Sequence, residues 1–191
     1  MRVGVLALQG DFEAHRRAVE GAGGEPVEVR TRGGLDQVDA LIIPGGESTT
    51  MLKLLRAENL FDKLKEFGAR KSVFGTCAGA ILLAARVTSP EQESLGLMDI
   101  TVERNAYGRQ IDSRIVTLEP EPASAMGGAV EAVFIRAPII RQTGDGVRVL
   151  LRYEGNPVLV EQGRHMVATF HPELTSDVRI HRQFLAKAAA N

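Results

Sequence analysis

Residues 72–85 read Ser-Val-Phe-Gly-Thr-Cys-Ala-Gly-Ala-Ile-Leu-Leu-Ala-Ala, and the rest of the chain is organised around this stretch. Its apolar beginning predicts a short buried strand, and its run of alanine, isoleucine and leucine predicts a buried helix. Between them, Cys77 stands two residues from Gly75 and two residues from Gly79. This is the spacing of the G-x-S-x-G nucleophile elbow, with cysteine in the serine position.

The glycines of such an elbow have a mechanical reason. A nucleophile on a tight strand-to-helix turn is forced into a strained backbone conformation, and neighbouring chain must pass close by. The turn also puts Cys77 at a helix N-terminus, where the helix dipole favours thiolate over thiol. A lone cysteine among apolar residues is equally typical of a small core side chain. The nucleophile interpretation therefore needs a base elsewhere in the chain.

The composition is that of an ordinary globular protein. The 191 residues are 44% hydrophobic, and 23 Lys and Arg against 24 Asp and Glu leave no basic excess for nucleic-acid binding. We expect one domain over residues 1–191. One cysteine cannot form an internal disulfide, and neither a signal peptide nor a membrane-spanning stretch is recognisable. We therefore expect a cytoplasmic protein without a membrane partner.

The first half of the chain alternates predicted strands and helices. Continuous apolar runs at residues 3–8 and 40–43 are typical of strands buried on both faces, and residues 26–30 form another predicted strand. Helical patterns cover residues 12–20 and 60–67, and a further helix follows residue 50. This alternation predicts a parallel sheet with helices on its faces.

The second half changes to closely spaced strands. They are predicted at residues 97–103, 113–118, 130–135, 147–153, 158–162 and 165–170, and a last helix is predicted at residues 178–190. We expect these strands to extend the central sheet and to add an antiparallel region. The predicted architecture is thus α/β: a single-domain three-layer sandwich with a mostly parallel central sheet and flanking helices.

A glycine loop, defined as residues 44–50 (Pro-Gly-Gly-Glu-Ser-Thr-Thr), follows the predicted strand at residues 40–43. Its glycines leave backbone N–H groups uncovered, and Ser48 or Thr49 can cap the next helix, so the loop is a candidate anion site. It lacks the Gly-Lys-Ser/Thr ending of a phosphate-binding loop. Alone, it is equally well a plain strand-to-helix turn. Two such loops at carboxyl ends of strands in one sheet favour a ligand site.

The candidate base is His171, in the segment His171-Pro172-Glu173 at the end of the last predicted strand. Proline keeps the backbone extended, and residues two apart in an extended segment point the same way. Glu173 can therefore accept the ring N–H of His171, which is the base-and-orienter pair that a cysteine nucleophile needs. By itself the segment could also be a capped turn with a solvated glutamate.

Taken together, these motifs resemble the class I glutamine amidotransferases, and in particular the glutaminase subunits of pyridoxal 5'-phosphate synthase, which have a flavodoxin-like fold. The matching segments span nearly the whole chain in family order. They are residues 8–10, 44–50, 74–79, 102–110, 134–138 and 170–175.

The resemblance implies hydrolysis of L-glutamine to L-glutamate and ammonia, with no cofactor and no metal ion. Cys77 would attack the side-chain amide, His171 would transfer protons, and Glu173 would orient His171. Backbone N–H groups of Gly46 and Ala78 would form the oxyanion hole.

The resemblance also implies which residues bind glutamine and which partner receives the ammonia. The glutamine contacts would be Gly46, Glu47, Ser48, Arg104, Ile135 and Arg136. For the two arginines, an ordinary ion pair is an alternative. The partner would be the synthase subunit that makes pyridoxal 5'-phosphate from pentose and triose phosphates. Gln9 and Gly10 are our candidates for sensing that partner, because they end the first strand near the glycine loop.

Two other classes of function compete with this interpretation. The first is a thiol hydrolase or peptidase of the same architecture, in which a histidine often follows the elbow cysteine closely. Residues 78–81 contain no histidine, which argues against it. The second is a non-catalytic interaction module, which we expect to lack a member of the triad.

Overall fold

A seven-stranded sheet is the centre of the fold in the computed structural model, which describes residues 1–106, 113–122, 124 and 126–190. The strands of the chain are β1 (Arg2–Leu6), β2 (Glu25–Val29), β3 (Ala40–Ile43), β4 (Ser72–Thr76), β5 (Ala84–Thr88), β6 (Met98–Glu103), β7 (Ser113–Leu118), β8 (Val130–Ile135), β9 (Ile139–Thr143), β10 (Arg148–Tyr153), β11 (Asn156–Gln162) and β12 (His165–Ala168). The helices are α1 (Phe12–Gly21), α2 (Arg32–Leu35), α3 (Ser48–Ala57), α4 (Phe61–Arg70), α5 (Ala78–Leu83) and α6 (Arg179–Ala189), with a 3₁₀ turn at Pro172–Leu174.

The central sheet is mostly parallel, as the sequence predicts. Its strand order is β10-β11-β12-β4-β3-β1-β2. Strands β2, β1, β3, β4 and β12 run parallel to one another, whereas β11 pairs antiparallel with β12 and β10 pairs antiparallel with β11. Strands β3, β4 and β12 are adjacent, so their carboxyl ends lie together at one edge of the sheet.

Strand β3 shows why helices cover both faces of this sheet. All four of its residues are fully buried, and their side chains point alternately to opposite faces. Leu41 and Ile43 join the hydrophobic cluster that includes side chains of α3, α4 and α5. Ala40 and Ile42 join the second cluster, which includes side chains of α1 and α6. The predicted α/β three-layer sandwich is therefore confirmed.

The structure departs from the prediction in several elements. Only β10, β11 and β12 extend the central sheet, whereas β5, β6 and β9 form a three-stranded sheet and β7 and β8 form a two-stranded one. The helix predicted to reach Ala85 ends at Leu83, because Ala84 already pairs with Met98 of β6. The sequence also missed β9 and the short helix α2. No helix in the described part of the chain is both long and apolar enough to cross a membrane.

Candidate active site

Cys77 occupies a strained turn between β4 and α5. Its backbone has φ 48° and ψ −104°, a region that non-glycine residues seldom adopt, and its N–H donates to the carbonyl oxygen of Ala168 at 2.9 Å. Two residues after Cys77, only a glycine fits at position 79, because a Cβ there would lie 2.1 Å from the carbonyl oxygen of Ile43. The predicted elbow geometry is thus present. Cys77 is 7% exposed.

The parallel pairing of β12 with β4 brings the candidate base to the cysteine. Phe74 pairs with Met166 and Thr76 with Ala168, so the residues after both strands leave the sheet side by side. The ring of His171 interacts electrostatically with the Cys77 side chain, and both side chains lie against Gly45. Its Nδ1 lies 2.7 Å from Oε1 of Glu173, whose side chain is fully buried. Cys77 therefore forms one contiguous line with His171 and Glu173, which are nearly a hundred residues further along the chain.

The electrostatics of this line favour a protonated His171. Burial by itself lowers the pKa of His171, but hydrogen bonds to Cys77 and Glu173, together with electrostatic attraction by both, outweigh burial and raise the pKa to about 10. At neutral pH the imidazole ring of His171 is therefore protonated, and it lies between the sulfur and the carboxylate. This arrangement can support nucleophilic attack by sulfur followed by protonation of a leaving group.

The glycine loop lies directly against this line. A Cβ on Gly45 would be 2.5 Å from Cε1 of His171 and 3.2 Å from Cβ of Cys77, so only glycine allows the loop to come this close. Gly46 has φ 145°, and Ala78 begins α5 immediately after Cys77. Both proposed oxyanion-hole residues therefore belong to segments that border the cysteine.

The cap of α3 differs from the prediction. The N-cap is Glu47, not Ser48 or Thr49, and its carboxylate accepts the backbone N–H groups of Thr49 and Thr50 at 3.1 and 2.7 Å. A glutamate side chain is long enough to reach both donors, whereas a serine at position 48 already lies inside the helix. Its slight burial raises the pKa of Glu47, but hydrogen bonds from Thr50 and Thr49 outweigh that effect and lower the pKa to about 2.

The structure brings some of the predicted glutamine contacts together. Arg104 donates to Oγ1 of Thr49 at 2.7 Å and lies 3.7 Å from Oε1 of Glu47, which places a cation and a carboxylate side by side. The Ser48 hydroxyl donates to Oε1 of Gln92 at 3.0 Å. The carbonyl oxygen of Ile135 is 3.9 Å from Sγ of Cys77.

Arg136 follows Ile135 with φ 44°, and its side chain is exposed. The remainder of the predicted segment at residues 102–110, from Tyr107 to Gln110, lies outside the described residues.

Gln9 and Gly10 contact the glycine loop, as their position after β1 predicted. The side-chain amide of Gln9 donates to the carbonyl oxygen of Glu47 at 3.0 Å. Gly10 has φ 85°, and a Cβ there would lie 1.8 Å from the carbonyl oxygen of Gly45. Movement of either residue would therefore disturb the loop. Their sensing of a partner stays a prediction.

The sequence interpretation missed His15 and His181. Both side chains are fully buried, and His15 lies 3.3 Å from Oε2 of Glu173. A signal was available in α1, where buried residues 14, 15, 18 and 19 mark one helix face and place a histidine on it. A polar side chain on an apolar face indicates a buried partner, but the periodicity does not identify that partner.

A solved structure described as a glutamine amidotransferase has this fold. It matches with a TM-score of 0.89 and 48% identity, covering 98% of this chain and 98% of that chain. With its elbow cysteine beside a histidine and a glutamate, the fold is that of a class I glutamine amidotransferase. More narrowly, the chain belongs to the SNO glutamine amidotransferase family, whose family model matches residues 5–190.

Curated relatives agree with this family. The pyridoxal 5'-phosphate synthase subunit PdxT of Solibacter usitatus is 65% identical over 189 residues, covering 97% of this chain and 98% of the relative. The protein of the same name from Thermotoga neapolitana is 49% identical over 187 residues, covering 97% of this chain and 98% of the relative. The resemblance stated from the sequence motifs is confirmed.

Proposed function

We propose that this chain hydrolyses L-glutamine to L-glutamate and ammonia and supplies the ammonia to a synthase subunit that makes pyridoxal 5'-phosphate. The observation that carries the chemistry is the buried line formed by Cys77, His171 and Glu173. Family membership and the names of the relatives support the choice of reaction and of partner.

In the proposed mechanism, the sulfur of Cys77 attacks the side-chain amide carbon of glutamine, and the thiol proton resides on His171. Collapse of the tetrahedral intermediate breaks the C–N bond, and the His171 proton goes to the leaving nitrogen, so that ammonia departs and a γ-glutamyl thioester remains. His171 then takes a proton from water, which attacks the thioester; collapse of the second tetrahedral intermediate breaks the C–S bond, releases glutamate and returns the proton from His171 to the sulfur. Glu173 keeps Nδ1 of His171 protonated and its ring oriented throughout.

Negative charge develops on the carbonyl oxygen of the substrate when the sulfur attacks the amide and again when water attacks the thioester. We assign its stabilisation to the backbone N–H groups of Gly46 and Ala78, because both border Cys77. Removal of one such donor typically costs about 3 kcal/mol of transition-state stabilisation.

A free amino acid offers one ammonium and one carboxylate, and the proposed glutamine site has a matching pair of charges. We assign the ammonium to Glu47 and the carboxylate to Arg104, which are 3.7 Å apart at their nearest oxygen and nitrogen. Gly46, Ser48, Ile135 and Arg136 complete the proposed contacts.

The proposed partner follows from the chemistry of the product. Ammonia released into water is protonated and loses its nucleophilicity, so a biosynthetic glutaminase is useful only when docked on the enzyme that consumes ammonia. We assign detection of the docked synthase subunit to Gln9 and Gly10, which contact the glycine loop. We also propose that residues 1–191 form one domain and that the complex works in the cytoplasm.

The test is to mix the chain with its synthase subunit and L-glutamine and to measure glutamate and ammonia. We expect equal amounts of both products. A thiol hydrolase of another specificity would instead leave glutamine intact and cleave peptide or ester substrates, and a non-catalytic module would release neither product.

A further inference from the structure

The carboxylate of Glu173 has a second buried neighbour besides His171. Its Oε1 faces Nδ1 of His171, whereas Oε2 lies 3.3 Å from Nε2 of His15. The side chains of His15 and Glu173 are both 0% exposed. Within the described part of the chain, Oε2 accepts no hydrogen bond of good geometry, and its contact with Nε2 of His15 is electrostatic. An uncompensated buried carboxylate oxygen is costly.

His15 is itself held by two further residues. Its Nε2 lies 3.0 Å from Oγ1 of Thr76, the residue before the elbow cysteine, and its Nδ1 lies 3.0 Å from Nε2 of His181 on α6. The chain therefore surrounds the His15 ring with defined neighbours on α6, β4 and the turn after β12.

The neighbours select one tautomer of His15. A lone pair on Nε2 would face the negative Oε2 atom, so the hydrogen must be on Nε2, where it points chiefly at Thr76 and also toward the carboxylate. Nδ1 is then an acceptor and takes the Nε2–H of His181. In the opposite arrangement His181 would carry its hydrogen on Nδ1, which has no hydrogen-bond partner among the described residues.

Both rings are neutral at physiological pH. Burial lowers the pKa of His15 well below its usual value, and the neighbouring His181 and His171 lower it further. Burial lowers the pKa of His181 to about 4. A neutral His15 orients the carboxylate through an N–H group without competing, as a second cation would, for the charge that stabilises protonated His171.

We infer that His15 is a positioning residue for the glutaminase reaction: its neutral ring, held by Thr76 and His181, fixes Oε2 of Glu173 so that Oε1 stays on His171. His15 touches neither substrate nor sulfur and acts only through Glu173. The inference rests on the proposed function, because it assigns His15 to the same reaction.

Two substitutions of similar size separate this role from simple packing. In His15→Gln the side-chain amide nitrogen can take the place of Nε2 and face Glu173. In His15→Asn the amide reaches only the place of Nδ1, faces His181, and leaves Glu173 without its neighbour. We expect kcat for glutamine, measured in the complex with the synthase subunit, to fall about tenfold in His15→Asn and less than about threefold in His15→Gln, with KM unchanged in both.

Combination with Glu173→Gln provides the second readout. If His15 acts through the carboxylate, His15→Asn should lower kcat by less than about twofold when Glu173→Gln is already present. A full tenfold loss in that background would overturn the inference, as would equal kcat values for the Asn and Gln variants. His165→Gln is the matched control: His165 is also a buried histidine, but its Nδ1 accepts from the backbone of Val73, and we expect unchanged kcat.

Failure of the proposed function would look different. Glutamine hydrolysis that survives in Cys77→Ala would contradict the function itself. An inactive Cys77→Ala together with a fully active His15→Asn would contradict only the inference about His15.

Discussion

The proposed mechanism gives His171 more of the chemistry than Glu173, so we expect the two residues to respond differently to substitution. His171→Asn should lower glutamine turnover to about the level of a variant without the cysteine, because an asparagine amide cannot take up and return the thiol proton. Glu173→Gln should retain measurable turnover, because orientation of a base contributes less than its proton transfer. Steady-state ammonia release by both variants in the complex tests this. Equal and mild effects would mean that residues 171–173 form only a turn.

Glu47 caps α3 and is also one of the residues proposed to bind glutamine. Its carboxylate caps α3, so Glu47→Ala should lower the free energy of unfolding by about 1 kcal/mol. The same change should raise KM for glutamine if Glu47 binds the substrate ammonium. Urea unfolding and substrate kinetics separate the two effects, with the exposed Glu20→Ala on α1 as a control. A loss of stability with unchanged KM would leave Glu47 as a cap only.

The elbow element depends on close approach of the backbone at Gly79. Gly79→Ala should lower the free energy of unfolding by about 2 kcal/mol or more, because its Cβ would lie 2.1 Å from the carbonyl oxygen of Ile43. Gly33→Ala in α2 is the control, since a Cβ there meets nothing within 4 Å and alanine favours the helix. Thermal unfolding of both variants checks the difference. Equal Tm values for the two variants would contradict the tight elbow.

His165, the first residue of β12, makes the stability of the folded protein depend on pH. Burial, helped by Arg164 and Lys187, lowers the pKa of His165 to about 4 in the folded protein, against 6.5 for a free histidine. The unfolded chain therefore binds an extra proton between these values, and stability falls as pH decreases from about 6.5 to about 4. His165→Gln removes this loss, so its Tm deficit relative to wild type should shrink from pH 7.5 to pH 4. A deficit that stays constant or grows would contradict the lowered pKa.

Elements with a strong local pattern were predictable from the sequence, and contacts between distant elements were not. The elbow around Cys77 and the His171–Glu173 pair follow from spacing alone, and parallel strands explain why they meet. The strand β5 was missed because Ala84 and Ala85 continue the apolar run of a helix, and only pairing with β6 ends it. His15 was missed because its partner Glu173 is remote in sequence, and helical periodicity shows burial but not the partner.

Glutamine hydrolysis by the whole chain should depend on docking to the synthase subunit. The isolated chain should turn over glutamine slowly, and addition of the synthase subunit should raise the rate. We expect the glycine loop to transmit docking to the active site. Gly46 can reorient its N–H toward the developing oxyanion, and the side-chain amide of Gln9 donates to the adjacent carbonyl oxygen of Glu47. Ammonia release with and without the partner measures the effect. Full activity of the isolated chain, unchanged on mixing, would refute the switch.

The role of Cys77 as nucleophile is tested most directly by measuring glutamine hydrolysis by Cys77→Ala in the complex. We expect no glutamate or ammonia above background and a thermal unfolding curve close to that of the wild type, because the substitution removes the nucleophile and only one sulfur atom from the protein. Turnover above about a tenth of the wild-type rate would contradict the assignment of Cys77 as the nucleophile.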